Sequence, residues 1–189
     1  SRQGVAMVMA DPIRVVGPDG GDVPRDGATV GEIVMGGNNV MKGYFDDPEG
    51  TEAAFRGGVF HSGDLGVRHP DGYIELRDRA KDVVISGGEN ISTIEVEQAI
   101  GSHPAVLEAA VIGVPDERWG ERPKAFVVLR EAGALDAAGL SAHVRERLAG
   151  YKCPDTFEFL TELPRTSTGK VRKFELRERE WAGRERRIN

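Results

Sequence analysis

The sequence has a single cysteine, Cys153, and no apolar run long enough to cross a membrane. One cysteine excludes an internal disulfide, which is typical of proteins in a reducing compartment, so we expect a cytoplasmic location. No histidine lies near Cys153, and we interpret it as a structural thiol rather than a nucleophile. Residues 4–10 are apolar but too short for a signal-peptide core followed by a cleavage site. We expect them to form a strand, and we expect no transmembrane segment.

Histidine is also scarce, which bears on metal binding. The four histidines are His61, His69, His103 and His143. None is combined with cysteines or carboxylates at the spacing of metal ligands, so the sequence predicts no metal site.

Positive charge is in short supply over most of the chain. The net charge is −6, which argues against nucleic acid as the main partner, because phosphate contacts need a basic face. Residues 165–189 reverse the balance, with nine basic and four acidic side chains. This basic end is either a solvated helix surface or a surface that attracts an anionic substrate, such as a nucleotide or the phosphates of coenzyme A.

The order of apolar runs and turn residues predicts an α+β fold in two parts. Residues 13–76 contain short strands and Gly-rich turns with one helix at 48–55, and we expect a small, distorted β-barrel there. After Arg79, helices and strands interleave in a pattern typical of a compact α+β domain. The strands are predicted at 82–86, 105–114, 124–129 and 156–160, and the helices at 91–100, 140–148 and from Phe174 onward. Ser92 and Glu95 form a capping-box pattern at the first of these helices.

One lysine is presented on a short polar turn. The segment Leu163–Lys173 places Lys170 between a predicted strand and a predicted helix. Gly169 frees the backbone before it, and Thr166 and Thr168 supply turn hydroxyls. A lysine in such a position is a mobile point charge that can reach an anionic group.

Two upstream segments give this turn its meaning. In His61-Ser-Gly-Asp64, a carboxylate on a turn after a glycine either accepts hydrogen bonds from two vicinal hydroxyls, as on a ribose, or only closes the turn. The second segment begins at Arg79 and runs to Asn90. Within it, Ser86-Gly-Gly-Glu-Asn90 is a loop whose missing side chains allow close backbone approach, and a tight turn before a helix is the simplest interpretation.

In this order and spacing, the three motifs resemble the C-terminal portion of the AMP-forming acyl-CoA synthetases, the adenylate-forming enzymes. The resemblance runs from about Gly31 to about Glu178. Gly87-Gly88-Glu89 is similar to the fatty acyl and aryl branches, whereas some acetate-activating relatives have an arginine at the position of Glu89.

The resemblance implies a role for each motif residue. Asp64 and Arg79 would bind the ribose of ATP, and Leu76 would either contact the nucleotide or belong to the core. Lys81 occupies the position of the hinge between two domains. The loop formed by Ser86, Gly87, Gly88 and Glu89 would line the tunnel for the pantetheine arm of coenzyme A. Lys170 would be the catalytic lysine of the adenylation half-reaction.

The same resemblance implies a domain plan and a reaction. Residues 1–77 would be the C-terminal, β-rich part of a large N-terminal domain, residues 78–81 the hinge, and residues 82–189 a mobile lid. The intact protein would convert a carboxylic acid, of fatty or aryl type, and ATP to an acyl-adenylate, and then transfer the acyl group to coenzyme A. Magnesium would accompany ATP.

The phosphate-binding loop and the Tyr-Gly-x-Thr-Glu segment of this family do not occur in the sequence. We therefore expect a fragment that does not complete adenylation alone, with the magnesium ligands in the absent region.

Two alternatives stay open. In the first alternative, the parent protein is an adenylation domain or acyl-AMP ligase that loads a carrier protein. The charged end of the chain favours a free-standing CoA enzyme instead. Otherwise the chain is a non-catalytic binding or dimerisation module, since exposed edges would favour a homodimer.

Overall fold

The computed structural model describes residues 11–183, so the strand predicted for residues 4–10 lies outside the described part of the chain. The chain divides into two compact units, Ser1–Lys81 and Asp82–Asn189. Both units contain helix and sheet, and the predicted α+β class is confirmed. Within the described residues, no helix is both long and apolar enough to span a membrane.

The first unit is built on an antiparallel sheet with the strand order β1-β2-β3-β4. The strands are β1 (Arg14–Val16), β2 (Gly31–Met35), β3 (Phe60–Arg68) and β4 (Ile74–Arg79). Helix α1 (Pro48–Ala54) connects β2 to β3, and the Asp47 side chain caps it by accepting the Gly50 N–H at 2.8 Å. Val15, Val23, Ile33 and Ile74 form a buried apolar cluster in this unit, and Val16, Val34 and Val67 of the sheet are also buried.

The described residues of this unit do not form the small β-barrel that the sequence predicted. In the described residues the sheet is open, because β1 pairs only with β2 and β4 pairs only with β3. Adjacent strands rotate by about 20–25° relative to one another, and even small barrels need five or more strands to close. Four strands, one of them three residues long, form an open sheet instead.

The second unit is a five-stranded mixed sheet with helices on both faces. Its strands are β5 (Val84–Ser86), β6 (Glu89–Ile91), β7 (Val106–Asp116), β8 (Gly120–Leu129) and β9 (Thr156–Leu160). Its helices are α2 (Thr93–Gly101), α3 (Ala137–Arg145) and α4 (Lys173–Trp181). β8 is central: β7 pairs along its length, while β5 pairs at Gly120 and β9 pairs in parallel with residues 124–128.

The apolar run in β8 is buried on both faces, which explains why it is continuous. Ala125 and Val127 pack with residues of α2 and α3, whereas Phe126 and Val128 pack with Leu176 of α4. Successive side chains of a strand point to opposite faces, so a strand between two helical layers needs apolar residues at every position.

Helix α2 begins at a side-chain cap. The predicted N-cap at Ser92 is confirmed, since its hydroxyl accepts the Glu95 N–H at 3.3 Å.

Cys153 is buried in the core between the sheet, α2 and α3, and burial raises the pKa of its thiol. A buried thiol with a raised pKa is a poor nucleophile, as the structural interpretation requires.

Candidate functional site

Lys170 lies on a closed turn between β9 and α4. An isolated bridge pairs Arg165 with Val171, and the Thr166 N–H donates to the Lys170 carbonyl at 2.8 Å. The Thr166 hydroxyl accepts the Lys170 N–H at 3.1 Å, and Gly169 has a φ of +85°. The Lys170 side chain is exposed, and among the described residues its ammonium has no ion pair or hydrogen bond. Hydrogen bonds therefore fix the backbone of this turn, while the Lys170 ammonium has no partner among the described residues.

Arg165 ties this turn to the sheet. One guanidinium nitrogen donates to the Gly169 carbonyl at 2.6 Å, and another pairs with the Glu108 carboxylate on β7. Leu163, two residues earlier, is buried in the core with Leu176. Arg165 was not predicted from the sequence, because its partner Glu108 lies 57 residues away along the chain.

The Gly-Gly segment forms the tight turn of a β-hairpin. Ser86 pairs with Glu89, and Gly87 and Gly88 form the two-residue turn with φ values of +60° and +88°. Positive φ at both central residues is typical of a type I′ turn. Ser86 is buried, whereas both glycines and Glu89 are exposed at the hairpin tip.

Trp119 packs against this hairpin tip. The Gly87 N–H donates to the Trp119 carbonyl at 2.9 Å, and a Cβ atom at position 87 would lie 2.7 Å from Cε3 of the indole. Trp119 lies in the β7–β8 turn, where the Asp116 carboxylate accepts its N–H at 2.8 Å. The sequence interpretation missed this residue.

Asp64 lies within strand β3, not on a free turn, which corrects the expectation. The β2–β3 ladder pairs Glu32 with Leu65 and then Val34 with His61. One residue on β2 thus faces three on β3, so Ser62–Asp64 form a bulge. Gly63 has a φ of +70°, which explains the glycine.

The structure brings Asp64 and Arg79 together. They are directly opposite on β3 and β4, and the Arg79 Nε lies 3.1 Å from the Asp64 Oδ1. The side chains are 30% and 55% exposed, respectively, so both can reach a ligand in solvent. Leu76, on the same strand as Arg79, is half-buried and packs against the core of the first unit.

Lys81 lies at the boundary between the two units. It belongs to a single 3-10 turn, Ala80–Asp82, and its side chain is exposed. The next residue, Asp82, forms an ion pair with Arg177 of α4 inside the second unit. A hinge role for Lys81 stays a prediction.

Glu32, which the sequence interpretation missed, contacts Gly63, the residue before Asp64. The Glu32 carboxylate accepts hydrogen bonds from the His61 ring, the Arg56 guanidinium and the Gly63 N–H. Burial by itself raises the pKa of Glu32, but these hydrogen bonds and the charges of His61 and Arg56 hold the pKa below its usual value. The available signal was an acidic residue inside an otherwise apolar strand, Gly31–Met35.

The described residues do not offer a metal centre. Within residues 11–183, no group of three or more His, Cys, Asp or Glu side chains could hold a metal ion.

Comparison with known proteins finds a family of domains that matches part of this chain. Residues 95–170, from helix α2 to the exposed lysine, match the AMP-binding enzyme C-terminal domain. The chain contains that domain. This match confirms the suspected resemblance to the C-terminal portion of adenylate-forming enzymes.

Curated relatives extend the match beyond the AMP-binding enzyme C-terminal domain. The chain is 52% identical over 182 residues to 2-methylpropanoate–CoA ligase CCL4 of Humulus lupulus, covering 94% of this chain and 33% of the relative. It is 45% identical over 179 residues to the peroxisomal trans-cinnamate:CoA ligase of Petunia hybrida, covering 94% and 31%. The chain therefore spans about a third of the length of these curated relatives.

A solved structure has the same fold. O-succinylbenzoate coenzyme A synthetase from Bacillus subtilis, in complex with ATP and magnesium ion, matches with a TM-score of 0.83 and 38% identity. The match covers 93% of this chain and 35% of that protein.

Proposed function

We propose that this chain is the C-terminal portion of an AMP-forming acyl-CoA synthetase. The proposal is supported by relatives that are named CoA ligases and are 45–52% identical over 94% of the chain. The observation that carries it is the exposed ammonium of Lys170, which has no ion pair within residues 11–183 and lies on a turn that Arg165 ties to the sheet. In this proposal, residues 1–77 complete a larger N-terminal domain, residues 78–81 are the hinge, and residues 82–189 are the lid.

Lys170 acts in the first half-reaction. An oxygen of the substrate carboxylate attacks the α-phosphorus of ATP, the bond to the pyrophosphate oxygen breaks, and pyrophosphate leaves with its electron pair. Two anionic groups must approach one another, so a cation between them offsets their repulsion and stabilises the charge of the transition state. A lysine serves this purpose because its ammonium is a compact point charge on a flexible stem.

Asp64 and Arg79 are the nucleotide-binding residues in this proposal. The Asp64 carboxylate accepts hydrogen bonds from the two ribose hydroxyls, and Arg79 orients that carboxylate through their ion pair. Leu76 supplies an apolar contact from the same strand. Magnesium accompanies ATP, and its ligands are expected in the region of the family's sequence that this chain does not contain.

The hairpin of Ser86–Glu89 serves the second half-reaction. The coenzyme A sulfur forms a bond to the acyl carbon of the adenylate and gives up its proton to solvent, the bond from that carbon to the phosphate oxygen breaks, and AMP leaves with the electron pair. Gly87 and Gly88 have no side chains, so the pantetheine arm can approach their backbone closely. Rotation about Lys81 would exchange Lys170 for this hairpin at the reaction centre.

The substrate class is a carboxylic acid of fatty or aryl type. One relative is named for a short branched acid and another for cinnamate, an aryl acid. The single cysteine fits a reducing compartment, and a cytoplasmic location stays a prediction beside relatives whose names include peroxisomal. Homodimerisation also stays a prediction, which light scattering would test.

Replacing Lys170 with glutamine in the full-length protein tests the proposal. We expect acyl-adenylate formation, followed as pyrophosphate release, to fall about 10²–10³-fold, because one preorganised donor contributes that factor. Thioester formation from supplied acyl-adenylate should be unchanged. Lys42→Gln, which neutralises another exposed lysine, is the matched control. Undiminished pyrophosphate release in Lys170→Gln would refute the proposal.

A further inference from the structure

The bulge that carries Asp64 has lost its regular ladder, and side chains replace the missing hydrogen bonds. The Ser62 hydroxyl donates to the Ile33 carbonyl at 2.7 Å and accepts the Asp64 N–H at 3.1 Å. The Gly63 N–H donates to Oε1 of Glu32 at 3.1 Å. Ser62 and Glu32 thus set the shape of the segment that presents Asp64.

Glu32 is itself fixed from two sides. Its second oxygen, Oε2, accepts the His61 Nδ1–H at 2.7 Å and the Arg56 guanidinium at 2.8 Å. The His61 Nε2 faces the Arg56 carbonyl at 3.2 Å. Both ring nitrogens of His61 therefore face oxygen atoms, one on Glu32 and one on the backbone of Arg56. The Glu32 side chain is 21% exposed and that of His61 is 12% exposed, so water competes weakly for these bonds.

We propose that Glu32 is a positioning residue that acts through Asp64. Its carboxylate holds the Ser62–Asp64 bulge in the shape that aims Asp64 at the nucleotide ribose, an inference that rests on the proposed function. Glu32 does not touch the nucleotide. Bulges beside active sites commonly re-aim a side chain, and this one is locked by a charged acceptor rather than by the ladder.

Glu32→Gln in the full-length protein is the decisive substitution. Three groups donate to the two carboxylate oxygens, and an amide offers only one acceptor, so at least one donor loses its partner. We expect the apparent KM for ATP to rise about tenfold, the change that loss of one charge-assisted hydrogen bond produces. The kcat should change less than about threefold, because Glu32 makes no contact with the reacting atoms.

The chain offers a closely matched control in Glu75→Gln. Glu75 accepts His69 Nε2 at 2.9 Å and lies 3.6 Å from an Arg77 nitrogen, so it is another Glu–His–Arg group on the same sheet. It lies on β4, outside the bulge. We expect its KM for ATP to change less than about twofold. An equal rise in both variants would mean general destabilisation and would overturn the proposal.

Amide hydrogen exchange separates this proposal from the proposed function. In Glu32→Gln, exchange of the Gly63 N–H should accelerate about tenfold. An unchanged Gly63 exchange rate, or an unchanged KM for ATP, would overturn the positioning role. Asp64→Asn tests the nucleotide assignment by itself: if it leaves the KM for ATP unchanged, that assignment fails, while Gly63 exchange still decides whether Glu32 holds the bulge.

A second variant covers the case in which Glu32→Gln does not fold. Ser62→Ala removes the hydroxyl that bridges Ile33 and Asp64 but leaves the charged group intact. It should raise the KM for ATP and accelerate Asp64 N–H exchange. Normal values for both would show that the bulge does not depend on these side chains, and the positioning role would be rejected.

Discussion

At the scale of single residues, the four lysines between positions 124 and 173 differ in whether a glutamate pairs with their ammonium group. Three are held by glutamates: Lys124 by Glu158 and Glu180, Lys152 by Glu95, and Lys173 by Glu97. Burial lowers the pKa of Lys124, but its two carboxylate partners raise it above the usual value overall. These ammonium groups stabilise the fold. Lys170 has no such partner among the described residues and can serve a ligand.

Gly87 is a residue where two physical requirements coincide. Its φ of +60° disfavours any residue with a Cβ atom, and Trp119 occupies the space that this atom would need. We expect Gly87→Ala to lower the free energy of unfolding by about 1–2 kcal/mol from the backbone alone, and by more because the indole must move. Urea denaturation of the chain measures the difference.

Gly88→Ala is the control for that measurement. Its φ is +88°, but within residues 11–183, its two chain neighbours aside, no atom lies within 4 Å of a Cβ built there. It therefore reports backbone strain without the contact to Trp119. Equal losses of unfolding free energy in the two variants would show that the packing of Trp119 against Gly87 contributes nothing.

At the scale of elements, a pair of histidines joins helices α2 and α3. His103, just after α2, contacts His143 of α3 edge-on, with ring centroids 4.8 Å apart. The His143 Nε2 lies 2.8 Å from the Ser102 hydroxyl. Burial lowers the pKa of His143, and the charges of Arg147 and His103 lower it further, so folding favours the neutral ring.

The lowered pKa predicts how the stability of this contact depends on pH. Between the folded pKa and the usual value of 6.5, the unfolded chain binds more protons than the folded chain. The contribution of His143 is therefore complete above pH 6.5 and is lost as the pH falls through the folded pKa. The unfolding free energy can be measured by urea denaturation between pH 5 and 8. It should depend less steeply on pH in His143→Gln than in the unchanged protein.

A titration of the ring by NMR provides the independent check. His103→Gln removes one of the charges that lower the pKa of His143, so the pKa should move up toward its usual value. A downward or absent shift would mean that the two rings do not interact electrostatically.

How well the elements were predicted depended on how local their signals are. The bounds of β9 match the predicted residues 156–160, because an apolar run bounded by turn residues defines a short strand. Helix α3 begins three residues before the predicted Leu140. The Asp136 carboxylate caps it by accepting the Gly139 N–H, a signal that apolar periodicity alone misses.

β3 was not predicted, and the reason is physical. Gly63 and Gly66 interrupt its apolar pattern, and the bulge at Ser62–Asp64 breaks the two-residue period on which strand prediction depends. The Lys170 turn was predictable because glycine and threonine specify it locally. The Glu32 contacts were not, because they join positions about thirty residues apart in the sequence.

At the scale of the whole molecule, the two units have separate cores of different size. Among the residues that the structure describes, the first unit has a buried apolar cluster of four residues. The second has one cluster of eleven buried residues, on the α2–α3 face of the sheet, and another of six on the α4 face. Since each buried aliphatic or aromatic side chain contributes about 1.5–3 kcal/mol, most of the hydrophobic stabilisation resides in the second unit.

This difference predicts that residues 82–189 fold without the rest of the chain. Produced alone, they should unfold in a single cooperative transition in urea, because the two clusters share one sheet and its loss exposes both. Leu140→Ala, which removes a fully buried side chain between α3 and the sheet, should lower the unfolding free energy by about 2–5 kcal/mol. Non-cooperative unfolding of residues 82–189, or an unaffected Leu140→Ala, would show that the fold of the second unit depends on residues before 82.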